Sequence, residues 1–236
     1  MNNYIKIFHI FIGFFDYFTS KKICNFLKTQ LNNKKIILFD VGAHKGETIE
    51  LFLKNFLIDR IYSFEANKEV YEILKKKDDF NIFTYNFGVG EEETTKDFNT
   101  VVDSQSSTFA EIANDSKYFL IKKKILQPFS KKEYSYKQSV KIRKLSNFIE
   151  GEKLDNIDVL KIDTEGYEFN VLRGISEGDF KKIKFILLEH HYDDMIKKDY
   201  KYGDISDLLK LNNFKLVFKS KMYFRKTFEY IFENIK

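Results

Sequence analysis

Ile36-Ile37-Leu38-Phe39-Asp40-Val41-Gly42-Ala43-His44-Lys45-Gly46-Glu47-Thr48 decides the fold class. An apolar run ends in a carboxylate, a G-x-x-x-G loop follows at once, and Glu47 and Thr48 open a helical pattern. A strand, a tight loop and a helix in that order hold a nucleotide-like ligand at the carboxyl edge of a parallel sheet. The glycines let the backbone come closer to such a ligand than any side chain would permit. Position 44 is His, so the loop departs from the G-x-G-x-x-G spacing of a dinucleotide site. Asp40, just ahead of the glycines, suits a ligand with an amine-bearing tail.

Outward from this stretch, apolar runs alternate with helical patterns. Arg60 to Glu65, Ile82 to Phe87, Ile157 to Ile162 and Phe185 to Glu189 read as strands. Glu47 to Lys54, Lys68 to Lys77, Leu145 to Ile149 and Tyr167 to Arg173 read as helices, and Asp204 as the N-cap of another over Ile205 to Leu211. Lys215 to Phe218 and Phe228 to Phe232 close the pattern as strands, with room for an antiparallel edge. This alternation predicts an α/β fold, a mostly parallel sheet with helices on both faces. Thr94 to Asn99 reads as an extra antiparallel strand. Residues from about 100 to 139 are the least regular, with Ser104-Gln105-Ser106-Ser107-Thr108, the lysines 122 to 124 and the single proline, Pro128. Such an insertion suits a lid or substrate-binding element.

The 236 residues, 43% of them hydrophobic, suffice for one domain with a real core, preceded by an N-terminal helical extension over 1–32. The domain proper is then 33–236, with the insertion at about 100–139. A single cysteine excludes an internal disulfide and fits a reducing, cytoplasmic compartment. The net charge of +5 is modest and lysine is spread along the chain, which argues against a nucleic-acid partner. Phe8, Phe11, Phe15 and Phe18 share a helical face. The apolar run there is too short to span a bilayer. The reading preferred is a helix packed on the domain or on a second copy of the chain; the rival is a helix lying in a membrane interface.

Four acids close predicted strands: Asp40, Glu65, Asp163 and Glu189. In an open parallel sheet this register places them on one ligand-binding rim. Glu65 lies 19 positions after Gly46, where an acid accepts hydrogen bonds from ribose hydroxyls. That supports a ribose-bearing cofactor without choosing between S-adenosylmethionine, which has an amine-bearing tail, and a dinucleotide. Asp163-Thr164-Glu165-Gly166 follows a buried strand and enters the cleft. An acid there can take a proton, orient a hydroxyl or bind a metal; alternatively Glu165 or Glu168 caps the next helix. Glu189-His190-His191 ends the next strand and supplies a base or metal donors. Strand alternation sends the two histidines to opposite faces, so one of them packs.

Phe39-Asp40-Val41-Gly42-Ala43-His44-Lys45-Gly46, Ser63-Phe64-Glu65-Ala66, Leu160-Lys161-Ile162-Asp163-Thr164-Glu165-Gly166-Tyr167-Glu168 and Val171-Leu172-Arg173-Gly174 resemble the FkbM family of S-adenosylmethionine-dependent methyltransferases. The resemblance covers roughly residues 36 to 190, and the block around Asp163 is its most specific part. Ser104-Gln105-Ser106-Ser107 also resembles a serine-rich loop of that family. His44 stands where Asn is usual, and Ala66 where Pro is usual. The resemblance implies a Rossmann-like class I methyltransferase fold with a seven-stranded sheet. It implies that Asp40, Gly42, Ala43 and Gly46 surround the cofactor's amino-acid tail, Glu65 its ribose, and Asn86 to Gly88 its adenine. It implies methylation of an oxygen on sugars, polyketides or related natural products; taken with the basic insertion at Lys122, Lys123 and Lys124, a hydroxyl of a sugar, as a nucleotide sugar or surface glycan, is preferred. Asp163, His190 and Glu165 are the expected catalytic residues. Asp163, Glu189 and His190 are the expected ligands if a divalent metal takes part. The rivals are a nucleotide-dependent oxidoreductase, against which the glycine spacing argues, and a noncatalytic membrane-peripheral scaffold, against which the rim of acids argues.

Overall fold

The computed structural model describes residues 3–101, 104–126, 135–223 and 226–236. Pro128, and the side chains of Phe8, Phe11, Phe15 and Lys122, lie outside the described residues. The chain opens with α1 (Asn3–Leu31), β1 (Ile36–Val41), α2 (Glu47–Asn55), β2 (Ile58–Phe64), α3 (Lys68–Leu74) and β3 (Ile82–Tyr85). An intervening segment holds β4 (Gly88–Val89), β5 (Thr94–Val101), β6 (Glu111–Ile112), α4 (Lys117–Leu126) and β7 (Ser135–Arg143). Then follow α5 (Leu145–Gly151), β8 (Ile157–Ile162), α6 (Glu168–Arg173), α7 (Glu177–Phe180) and β9 (Ile183–His191). The chain closes with β10 (Ile196–Lys197), α8 (Tyr202–Leu211), β11 (Phe214–Lys221) and β12 (Thr227–Asn234).

Seven strands form one sheet in the order β11-β12-β9-β8-β1-β2-β3. Every pairing from β9 to β3 is parallel, and only β12 runs against its neighbours. The expected antiparallel edge is therefore one strand inside the edge. The order reverses at β1, which lies between β2 and β8, so the crevice for a ligand opens above β1. Thr94–Val101 is indeed antiparallel, but in a separate three-stranded sheet ordered β4-β7-β5.

The apolar strands are buried on both sides, as a parallel sheet between helical layers requires. Ile37, Phe39 and Val41 of β1 join a core with Leu145 and Ile149 of α5, Val171 and Leu172 of α6, and Ile205 and Leu209 of α8. Ile36 and Leu38 face the opposite layer, formed by Ile23, Leu27 and Leu31 of α1, Ile49 and Phe52 of α2 and Leu74 of α3. Thus the second half of α1 packs on the sheet. Phe18, from the expected stripe, is instead 40% exposed. Each fully buried Leu or Ile stabilises by about 1.5–3 kcal/mol, so this half of α1 belongs to the core. No helix among the described residues is long and apolar enough to cross a membrane.

Two local expectations are corrected. Asp204 is the third residue of α8, not its N-cap; its carboxylate accepts the Lys201 backbone N–H at 2.7 Å. The helix from Lys68 ends at Leu74, and Lys75–Lys77 tighten into a 3-10 turn. Asn67 caps that helix, accepting from the Glu69 and Val70 N–H groups.

Candidate functional site

The loop after β1 is held by the ends of its neighbours. Gly42 and Ala43 N–H both donate to the Phe64 carbonyl at 3.0 Å, and the Asp163 N–H donates to the Val41 carbonyl at 3.0 Å. Gly42 has φ +83°, and a Cβ there would lie 1.8 Å from the Asp163 carbonyl oxygen. Only glycine lets these two loops meet. Gly46, at φ +89°, turns the chain into α2.

Glu65 ends the adjacent strand and is almost wholly buried. Its Oε2 accepts the His44 N–H at 2.8 Å and its Oε1 the Asn67 N–H at 2.7 Å. Burial pushes the carboxyl up to about 7, although both N–H bonds pull it down. Each oxygen keeps a second lone pair for a ligand hydroxyl. Asn86 lies alongside, its Nδ2 donating to the Glu65 carbonyl at 2.9 Å. Gly88 is backed by the Phe109 ring, 2.4 Å from where a Cβ would stand.

The other acids gather around a cation that sequence reasoning missed. Lys161 sits in β8 with its side chain 13% exposed, 3.2 Å from Asp163 Oδ2 and 3.6 Å from Asp40 Oδ1. Asp40 is fully buried in this face of the sheet, beneath the loop it was expected to line. Burial raises its carboxyl, with Lys161 opposing. Burial and the neighbouring Glu189 carboxylate likewise raise Asp163, against Lys161 and His191. Glu229, also missed, stands directly across from Glu189 in the β12–β9 pair. The signal for Lys161 is a lysine near the end of a mostly apolar strand, where a buried cation must find carboxylates.

The expectation that His190 joins Asp163 and Glu189 is corrected: His191 does. Side chains alternate along a strand, and Glu189 and His191 share the Asp163 face. Nε2 of His191 is 3.3 Å from Glu189 Oε1 and 3.5 Å from Glu165 Oε2. Burial would lower its pKa, but Glu165, Asp193 and Glu189 together raise it well above the usual value. His190 points to the other face, among the rings of Tyr192, Tyr200 and Tyr202 and 3.8 Å from Glu168 Oε2.

Glu168 organises the loop that carries Asp163. Its Oε1 accepts the Gly166 N–H at 2.7 Å and the Thr164 hydroxyl at 3.3 Å, while the Tyr200 hydroxyl donates to Oε2. Burial would raise this carboxyl; the nearby His190 imidazole and hydrogen bonds from Tyr200 and Gly166 outweigh it and bring it down to about 2. The insertion reaches the same rim. Ser104 Oγ lies 2.8 Å from His44 Nε2, the Thr108 hydroxyl donates to the Thr164 carbonyl at 3.4 Å, and β6 pairs with β10. Lys123 and Lys124 are exposed on α4.

Residues 40–216 match the sequence pattern of the family described as Methyltransferase FkbM domain. No curated protein matches the chain. Among solved structures, the fold is similar to that of methyltransferase FkbM from Methylobacillus flagellatus KT, with TM-score 0.54 and 12% identity over 84% of this chain and 43% of that one. It is also similar to magnesium protoporphyrin IX methyltransferase from Synechocystis PCC 6803, solved with bound S-adenosylmethionine, with TM-score 0.51 and 11% identity over 99% of this chain and 84% of that one. At such identities the likeness is one of fold. The chain spans less than half the length of the Methylobacillus protein.

Proposed function

The chain belongs to the FkbM methyltransferase domain family, and from that premise we propose that it transfers a methyl group from S-adenosylmethionine to a hydroxyl of a sugar, with a nucleotide sugar or surface glycan preferred. The observation that carries the reading is the meeting of two loops at the switch point. The Gly42–Gly46 loop, backed by Glu65, abuts the loop that carries Asp163. The residues fit the cofactor. The backbone at Gly42 leaves no volume for a side chain, and Glu65 retains acceptor capacity for ribose hydroxyls.

Bound S-adenosylmethionine supplies an electrophilic methyl group on a sulfonium. The chain's own task is to hold the acceptor oxygen in line behind that carbon and to take its proton. Asp163 is the best placed proton acceptor. Its carboxyl is raised above the ordinary carboxylate range, which strengthens it as a base, and its side chain is partly open. His191, 3.3 Å from Glu189 and 3.5 Å from Glu165, orients these carboxylates. Glu165, within reach of His191, positions the acceptor side of the cleft. Lys123 and Lys124 on α4 supply positive charge for a phosphate-bearing acceptor.

Calorimetric titration with S-adenosylmethionine and its demethylated product tests the cofactor assignment; micromolar-range binding of both is expected. A chain that binds neither ends the methyltransferase reading. Methyl appearing only on protein or RNA in an acceptor screen would overturn the sugar assignment.

A further inference from the structure

We propose that Asp163, Glu189 and His191 bind one divalent transition-metal ion of the Mn2+ class beside the Gly42–Gly46 loop. One donor atom from each of the three lies within 4.8 Å of the others. Donors about 2.1 Å from one ion stand at most about 4.2 Å apart, so side-chain rotation would have to draw the three together around it.

The imidazole carries the second, independent observation. The Thr227 hydroxyl lies 3.1 Å from His191 Nδ1, with the Asp193 carboxylate 3.7 Å away. A ligating histidine is characteristically fixed in this way through its far nitrogen. Nε2 is then the nitrogen turned to the carboxylates, deeply buried and without a hydrogen bond. Glu229 Oε2, across from Glu189, is also buried without a hydrogen bond. The bland reading is an interior ion-pair network centred on Lys161. That reading accounts for Asp40 and Asp163, which Lys161 approaches. It leaves His191 Nε2 and Glu229 Oε2 buried without a hydrogen bond.

Two carboxylates and one imidazole, with no thiolate, suit an ion of intermediate hardness. Cys24, the chain's single cysteine, is buried in α1 and takes no part. A ligating imidazole binds through a deprotonated Nε2, and any proton there is released to solvent as the ion enters. An ion held here would orient and acidify an acceptor hydroxyl. That role rests on the methyltransferase reading; the binding itself does not.

The test titrates Mn2+ alone into the full chain and follows loss of the free-ion electron paramagnetic resonance signal. One ion per chain is expected. His191→Ala and Glu189→Gln should each weaken binding roughly tenfold or more, and Thr227→Val should weaken it less. Pulsed resonance on the unsubstituted chain should show nitrogen coupling from one imidazole, a readout that does not depend on any variant folding. No bound Mn2+, binding unchanged in both ligand variants, or no imidazole coupling would each overturn the site. Calorimetry with S-adenosylmethionine on the same sample keeps the two readings apart. Cofactor binding without Mn2+ binding defeats only the metal site. Mn2+ binding without cofactor binding upholds the site and defeats only the methyltransferase reading.

Discussion

At Glu65, burial competes with two backbone N–H groups for control of one carboxyl, and burial wins, leaving it at about 7. Between its ordinary value and 7 the folded chain holds a proton that the unfolded chain has lost. This group's stabilising contribution is therefore full at acid pH and disappears as pH rises through 7. Ribose hydroxyls donate best to the ionised form, so S-adenosylmethionine affinity should increase from about pH 6 to 8. Glu65→Gln should weaken binding and flatten that dependence; calorimetry across the range checks both, and a flat profile for the unsubstituted chain removes Glu65 from the ribose role. At Asp163 the prediction concerns turnover. Asp163→Asn should slow methyl transfer by roughly two to four orders of magnitude while cofactor affinity stays nearly intact. Turnover close to that of the unsubstituted chain would move the base elsewhere. Glu65 and Asp163 were legible in the sequence because each ends an apolar run. Lys161 and Glu229 were not, because their meaning comes from neighbours far away in sequence. Alternation separates His190 from His191 without saying which one shares the Asp163 face; the β9 register decides that.

The strand-loop-helix element at Ile36 to Asn55 was the most legible, since apolar runs, turn glycines and the helical period agree there. The final strands were recognisable too, but not the insertion of β12 between β9 and β11, because pairing order leaves no mark on either strand. In α1 the sequence showed a helix but drew attention to the wrong residues. The phenylalanine stripe is conspicuous, whereas Ile23, Leu27 and Leu31, four apart, are the ones that meet the sheet. A chain beginning at Asn32 loses all three from the core. Their combined burial, about 5–9 kcal/mol, rivals the whole net stability of an ordinary domain. Such a chain should be insoluble or unfolded, whereas one beginning at Tyr17 should keep its fold. Circular dichroism and thermal melting check this, and an unchanged melting temperature for the shorter chain would contradict it. The described part of the 100–139 insertion is ordered by contacts distant in sequence, which local patterns do not reveal. It is held by Ser104 on His44, by Thr108 on Thr164 and by β6 on β10.

Across the whole molecule, Glu168 joins β9, the β8–α6 loop and the segment before α8 through His190, Gly166 and Tyr200. Its carboxyl sits at about 2, below the ordinary value of 4.5. The stability this provides is complete above the ordinary value and is lost as pH falls toward 2. It amounts to something on the order of 3 kcal/mol. Acid should therefore lower the melting temperature steeply across that window. Glu168→Gln should melt lower at neutral pH and show a shallower acid dependence; equal slopes would deny the carboxyl this role. The reversed direction of β12 has a practical side. Because that strand descends while its neighbours rise, the chain reaches Lys236 beside the start of β11, on the rim away from Asp163 and Glu65. By contrast, α1 passes Phe218 at Phe26 and Tyr223 at Lys22, so it runs toward the Asp163 end of the sheet as it is followed back to its start. A tether, dye or bead attached at Lys236 leaves the mouth of the cleft open to large acceptors.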